Sequence, residues 1–83
     1  MGRNKMKPCW IVYREGLYSK EYLKRVVSYK KKIFFATIIR EKAFPYTVFE
    51  NAIKASLSFH GLIESGDLDY DTSNGKWAIK IFS

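Results

Sequence analysis

Ten cationic side chains crowd the first 32 residues: Arg3, Lys5, Lys7, Arg14, Lys20, Lys24, Arg25, Lys30, Lys31 and Lys32, opposed there only by Glu15 and Glu21. Ammonium and guanidinium groups at this density can neutralise phosphates, and Tyr22 and Tyr29, set among them, offer rings for exposed bases to stack on. Residues 63–75 are the opposite, with Glu64, Asp67, Asp69 and Asp71 and no cation. The formal net charge of +7 is therefore dipolar, +8 over residues 1–32 against −4 over 63–75. Such separation lets a molecule meet a polyanion on one flank. A purely solubilising surface would mix its signs. Even so, Lys30-Lys31-Lys32 and Arg40-Glu41-Lys42 also bracket an apolar run as gatekeepers against aggregation.

Other chemistry fares worse. Asp67-x-Asp69-x-Asp71 has the spacing that opens a calcium loop, but Thr72 replaces the required glycine and Ala78 the bidentate glutamate. No metal is expected, nor any cofactor. His60 is the only histidine and has no Cys, Asp or Ser partner near it in sequence, so it reads as a helix-end residue. Cys9, also alone, can form no internal disulfide and no CxxC site; it reads as a small buried hydrophobe suited to a reducing cytoplasm. No P-loop, Gly-rich cofactor loop or acid/base pair survives inspection, so an enzyme is not expected. No RNP-like pattern, KH loop or zinc finger supports sequence-specific readout.

These side chains need a scaffold. A chain of 83 residues makes one domain, and a domain that small buries only about 60–65% of its unfolded surface. Its six Tyr, six Phe and two Trp bring large rings to the core, with Trp10 and Trp77 as expected anchors. Residues 1–8 read as a flexible basic arm ending at Pro8, and 9–83 as a single globular domain. Cys9 to Tyr13, β-branched and aromatic, predicts a strand near 9–14 closed by Glu15-Gly16. Thr47 and Glu50 have capping-box spacing. After them Val48, Phe49, Ala52, Ile53, Ala55, Leu57 and Phe59 share one side of a helical wheel, which predicts a helix over 48–60 with Gly61 as its C′ residue. Asn74-Gly75 predicts a two-residue turn between strands 67–72 and 77–82. That register pairs Tyr70 with Ile79 and Leu68 with Ile81 on one face, and Asp69 with Lys80 on the other.

Periodicity leaves residues 19–43 open between helix and strand. From a Ser19 cap, Tyr22, Leu23, Val26, Tyr29 and Ile33 share a helical arc; as a strand, the segment alternates poorly. The apolar run 33–39 favours strand, and its length and apolarity predict a central one.

The fold class that follows is α+β: a small antiparallel sheet of an N-terminal strand, a central strand 33–39 and a C-terminal hairpin, packed on one main helix. Trp10-Ile11-Val12-Tyr13, Tyr22-Leu23-Lys24-Arg25-Val26, Phe35-Ala36-Thr37 and Ala52-Ile53-Lys54-Ala55 carry a resemblance to small phage-encoded accessory proteins. That likeness implies a protein that binds, inhibits or redirects something of a host, acting in the host-cell cytoplasm. Phe59-His60-Gly61-Leu62-Ile63-Glu64 and the following Lys76-Trp77-Ala78-Ile79 resemble the passage from recognition helix to wing in winged helix-turn-helix domains, the alternative fold. A helix face offering only Lys54 as base, and a wing bearing Asp67, Asp69 and Asp71, depart from that family's use of DNA.

The expected partner is nucleic acid or a nucleoprotein, held by Arg3, Lys5, Lys7, Lys20, Lys24, Arg25, Lys30, Lys31 and Lys32, with Tyr22 and Tyr29 stacking. The alternative is an acidic protein surface, or a protein strand added to a sheet edge. No membrane is expected, since the longest apolar run spans only Ile33 to Ile39 and the start lacks an apolar signal core. Free sheet edges leave a homodimer open.

Overall fold

A computed structural model describes residues 6–71 and 75–79. Its order is β1 (Met6–Glu15), β2 (Lys20–Ser28), β3 (Ile33–Thr37), a 3-10 turn over Arg40–Lys42, α1 (Phe49–Phe59), β4 (Leu62–Asp71) and β5 (Lys76–Ile79). The strands form one five-stranded sheet in the order β3-β2-β1-β4-β5, every neighbouring pair antiparallel. A sheet packed on one helix is the expected α+β class.

The central strand is β1, not the run 33–39. Alternate side chains of a strand point to opposite faces. Cys9 and Ile11 enter a core with Tyr22, Ala43, Leu68 and Ile79; Val12 enters a second core with Leu23, Ala52, Ala55 and Phe59. Cys9, Ile11 and Val12 are all fully buried, which explains why this stretch is apolar without alternation. α1 covers the second face, and Ala52 and Ala55 let its backbone close on the sheet. The expected strand at 33–39 exists, but it ends at Thr37 and forms an edge of the sheet, with Ile38 and Ile39 exposed.

The N-terminal strand also begins earlier than expected. Met6, Lys7 and Pro8 belong to β1, while residues 1–5 of the expected arm lie outside the described residues. Pro8 is tolerated because β1 pairs with β2 only from Tyr13 to Glu15. At Pro8 the β2 side is open, so the missing N–H interrupts no ladder.

Both ends of α1 differ from expectation by one residue. Val48 is the N-cap and makes no side-chain capping bond, so the Thr47–Glu50 box is not formed. At the other end the left-handed residue is His60 (φ 58°), and the Gly61 N–H donates to the Ser56 carbonyl at 2.9 Å. Gly61 has a different reason for being glycine: a Cβ there would run into the Tyr13 carbonyl oxygen of β1.

The final hairpin is displaced by two residues from the expected register: Leu68 faces Ile79, Tyr70 faces Trp77 and Asp71 faces Lys76. A two-residue shift conserves every side-chain face. Gly75 takes the left-handed conformation (φ 66°) expected of the turn glycine. Thr72 and Asn74, the expected pairs to Lys80, Ile81 and Phe82, and the ring of Trp77 lie outside the described residues.

Candidate functional site

β2 and β3 form an arm that parts from the rest of the sheet. Beyond the Tyr13–Tyr22 pair the two strands β1 and β2 diverge, and the chain after β3 fills the fork. Phe44 N–H donates to the Leu23 carbonyl at 3.0 Å, while Tyr46 and Trp10 exchange backbone bonds of 2.9 and 2.7 Å. Arg40 Nε, 3.1 Å from Glu64 Oε1, ties this strap to β4, and Ala43 is buried beneath it. On the α1 side, Phe34 meets Phe59 edge-on at 5.4 Å, which anchors the arm to the core. The molecule measures 47 × 27 × 19 Å, and its 13.4 Å radius of gyration exceeds the roughly 12 Å of a compact chain this long.

The arm carries two bulges. Leu23 faces Ala36 and Arg25 faces Phe35, so Lys24 is an inserted residue; Val27 is a second, between Val26–Phe34 and Ser28–Ile33. In a regular strand, Lys24 and Arg25 would point to opposite faces. The bulge instead turns both toward Phe35. Lys24, Arg25, Phe35, Ala36 and Phe44 line an open groove of about 630 Å³. Phe35 is 55% exposed and Phe44 48%, high values for residues that normally fill cores.

A smaller groove of about 360 Å³ adjoins it through Phe44 and reaches Tyr29, Tyr46, Asn51 and Lys54. Lys54 Nζ lies 4.9 Å over the Tyr29 ring, and the Phe44 and Tyr46 rings are 4.6 Å apart. Burial pushes the Tyr46 phenol up to about 12, helped by the charge and hydrogen bond of Tyr29. It therefore stays neutral at physiological pH. At the arm's tip, Lys30, Lys31 and Lys32 are all exposed. Lys31 N–H donates to Ser28 Oγ at 3.1 Å, Lys32 N–H to the Tyr29 carbonyl at 3.3 Å, and Lys32 takes a left-handed conformation (φ 55°).

The expected site residues do not all converge. Lys24, Arg25, Lys30, Lys31 and Lys32 share the arm, and none is ion-paired among the described residues. Tyr29 joins them. Tyr22 does not: only 9% exposed and 6.2 Å from the Tyr13 ring, it is a core residue with no free face for a base. Lys20 sits over Tyr13 at 4.6 Å, at the other end of β2. Lys7 faces Leu68 between Asp67 and Asp69, on the acidic side of the sheet, where it is engaged. Arg3 and Lys5 lie outside the described residues. Arg14, basic in sequence, bonds Glu21 at 2.9 Å and lies 4.1 Å over the Phe59 ring.

Phe35, Phe44 and Lys54 entered no sequence reading of the site. Phe35 was hidden in an apolar run; its one signal was the consecutive Lys24-Arg25 pair, which a regular half-buried strand does not place on one face. Cys9, fully buried, has its thiol pushed up by burial, with Arg40 opposing and Asp67 adding, so it is unreactive packing. Among the described residues there is no cluster of metal-ligating side chains and no helix long and apolar enough to cross a membrane. Compared with protein-family models, curated proteins and solved structures, the chain matches none.

Proposed function

We propose that this protein is a non-enzymatic module that binds nucleic acid, or the nucleic acid of a nucleoprotein, through the β2–β3 arm. One observation carries the reading: Lys24, Arg25, Lys30, Lys31 and Lys32 lie exposed on a single projecting hairpin and without carboxylate partners among the described residues. The acidic strand β4 is separated from β2 by β1. Cations held in this way keep their full attraction for phosphate.

Fluorescence anisotropy with labelled duplex DNA, single-stranded DNA and RNA at two salt concentrations tests this. Binding is expected to weaken with salt at a log–log slope of about −3 to −5, the value for five neutralised phosphates. Absence of binding to all three at low salt refutes the reading.

The edge position of β3 favours a second reading. Ile33, Ile38 and Ile39 are exposed beside the outer edge of β3, which pairs with no further strand among the described residues, a surface that suits strand addition by a protein partner. The resemblance to phage accessory proteins that redirect a host protein points the same way. A stoichiometric partner protein retained after nuclease treatment, and lost when Ile33 and Ile38 are both replaced by Lys, supports it. Retention by that double variant counts against it.

A further inference from the structure

Resting on the nucleic-acid reading above, we infer that the groove bounded by Lys24, Arg25, Phe35 and Phe44 takes an unpaired base, so that the preferred ligand is a single strand and not a closed duplex. A duplex keeps its bases stacked inward and presents mainly phosphate to a shallow surface. A single strand presents phosphates and π faces together, and it is bound by aromatic side chains set among cations. This groove has that composition. Phe35 and Phe44 are about half exposed, and the inserted Lys24 brings two consecutive cations to the side of one ring.

The same chemistry continues next door. Phe44 is shared with the second groove, where the Tyr29 ring lies beneath Lys54. The tip lysines stand beyond Tyr29 in the same hairpin. Phe44, which borders both grooves, offers a single strand a path from one to the other. The charge is what commits the groove to a polyanion: an apolar peptide would gain nothing from Lys24 and Arg25 at its margin.

Anisotropy with a labelled oligothymidylate and a duplex of equal length, using the full chain, tests the assignment. Phe35→Ala is expected to weaken oligothymidylate binding by about five- to a hundred-fold, as loss of one stacked base does, with duplex binding changed less than about twofold. Phe35→Leu keeps the apolar volume and is expected to weaken the oligonucleotide similarly. Phe35→Tyr keeps the π face and restores it, which shows that the loss is not a folding defect. If Phe35→Leu binds like the parent, the groove reads apolar volume and the stacking assignment is overturned, in favour of a protein occupant. Equal losses for oligothymidylate and duplex overturn it too, while leaving the arm as a nucleic-acid contact. If the parent chain binds neither, the base-binding assignment is overturned, and failure to bind RNA as well overturns the proposed function itself.

Discussion

Lys32 shows how a single backbone angle can separate stability from binding. Its φ of 55° lies where a β-carbon is crowded, at a cost of roughly 1 kcal/mol that glycine avoids. The hairpin loop needs that conformation to return the chain into β3, so a lysine there is tolerated at some expense. Lys32→Gly is expected to leave stability unchanged or raise it by up to about 1 kcal/mol in urea denaturation. The same variant makes the salt dependence of oligonucleotide binding shallower by about 0.7 to 0.9 in slope, the share of one phosphate contact. Unchanged binding would remove Lys32 from the interface. His60 occupies the same region at the end of α1 (φ 58°) without any basic neighbour in that helix turn. There the conformation serves only to end the helix.

Among the elements, the junction from α1 to β4 is held by close approach. Gly61 has no space for a β-carbon beside the Tyr13 carbonyl, and backbone oxygen cannot rotate aside as a side chain can. Gly61→Ala is expected to destabilise the fold by about 1–3 kcal/mol, as overpacking does, measured by urea denaturation. A change under about 0.5 kcal/mol would mean the junction shifts freely. The existence of α1 and the final hairpin was legible because each obeys one period, and that of β1 because its run from Cys9 to Tyr13 is β-branched and aromatic. Their ends were less so: Val48 displaced Thr47 as N-cap because packing, not the capping box, sets where the helix meets β1, where the Trp10 and Phe49 rings meet at 5.3 Å, tilted by 60°. The hairpin's faces were readable from alternation, but its register was not, because a shift of two residues leaves the alternation intact. Residues 19–43 were ambiguous for a definite reason. The inserted Lys24 and Val27 reset the phase of β2 twice, so neither a period of 2 nor one of 3.6 runs through it.

At the scale of the whole molecule, charge is divided across the sheet. The arm holds five exposed cations without ion pairs among the described residues, and β4, beyond β1, holds Glu64, Asp67 and Asp69. Equal and opposite charge reversals can tell whether placement matters. Lys31→Glu, on the exposed tip, is expected to weaken oligonucleotide binding about tenfold or more, whereas Asp67→Lys, on exposed β4, changes it less than about twofold at physiological salt, where screening acts within roughly 8 Å. Shifts of similar size for the two, in opposite directions, would show that net charge alone governs binding. By itself the sequence determined the α+β class, the helix, the strand at Cys9–Tyr13 and the dipolar charge, because these rest on composition and on periods that hold within one element. Only the tertiary structure decided which strand is central, which of the cations stand together and which rings stay exposed. Those outcomes depend on the fork between β1 and β2 and on the bulges in the arm. Both arise from contacts between residues distant in sequence, Leu23 with Phe44 and Trp10 with Tyr46, which no local pattern records.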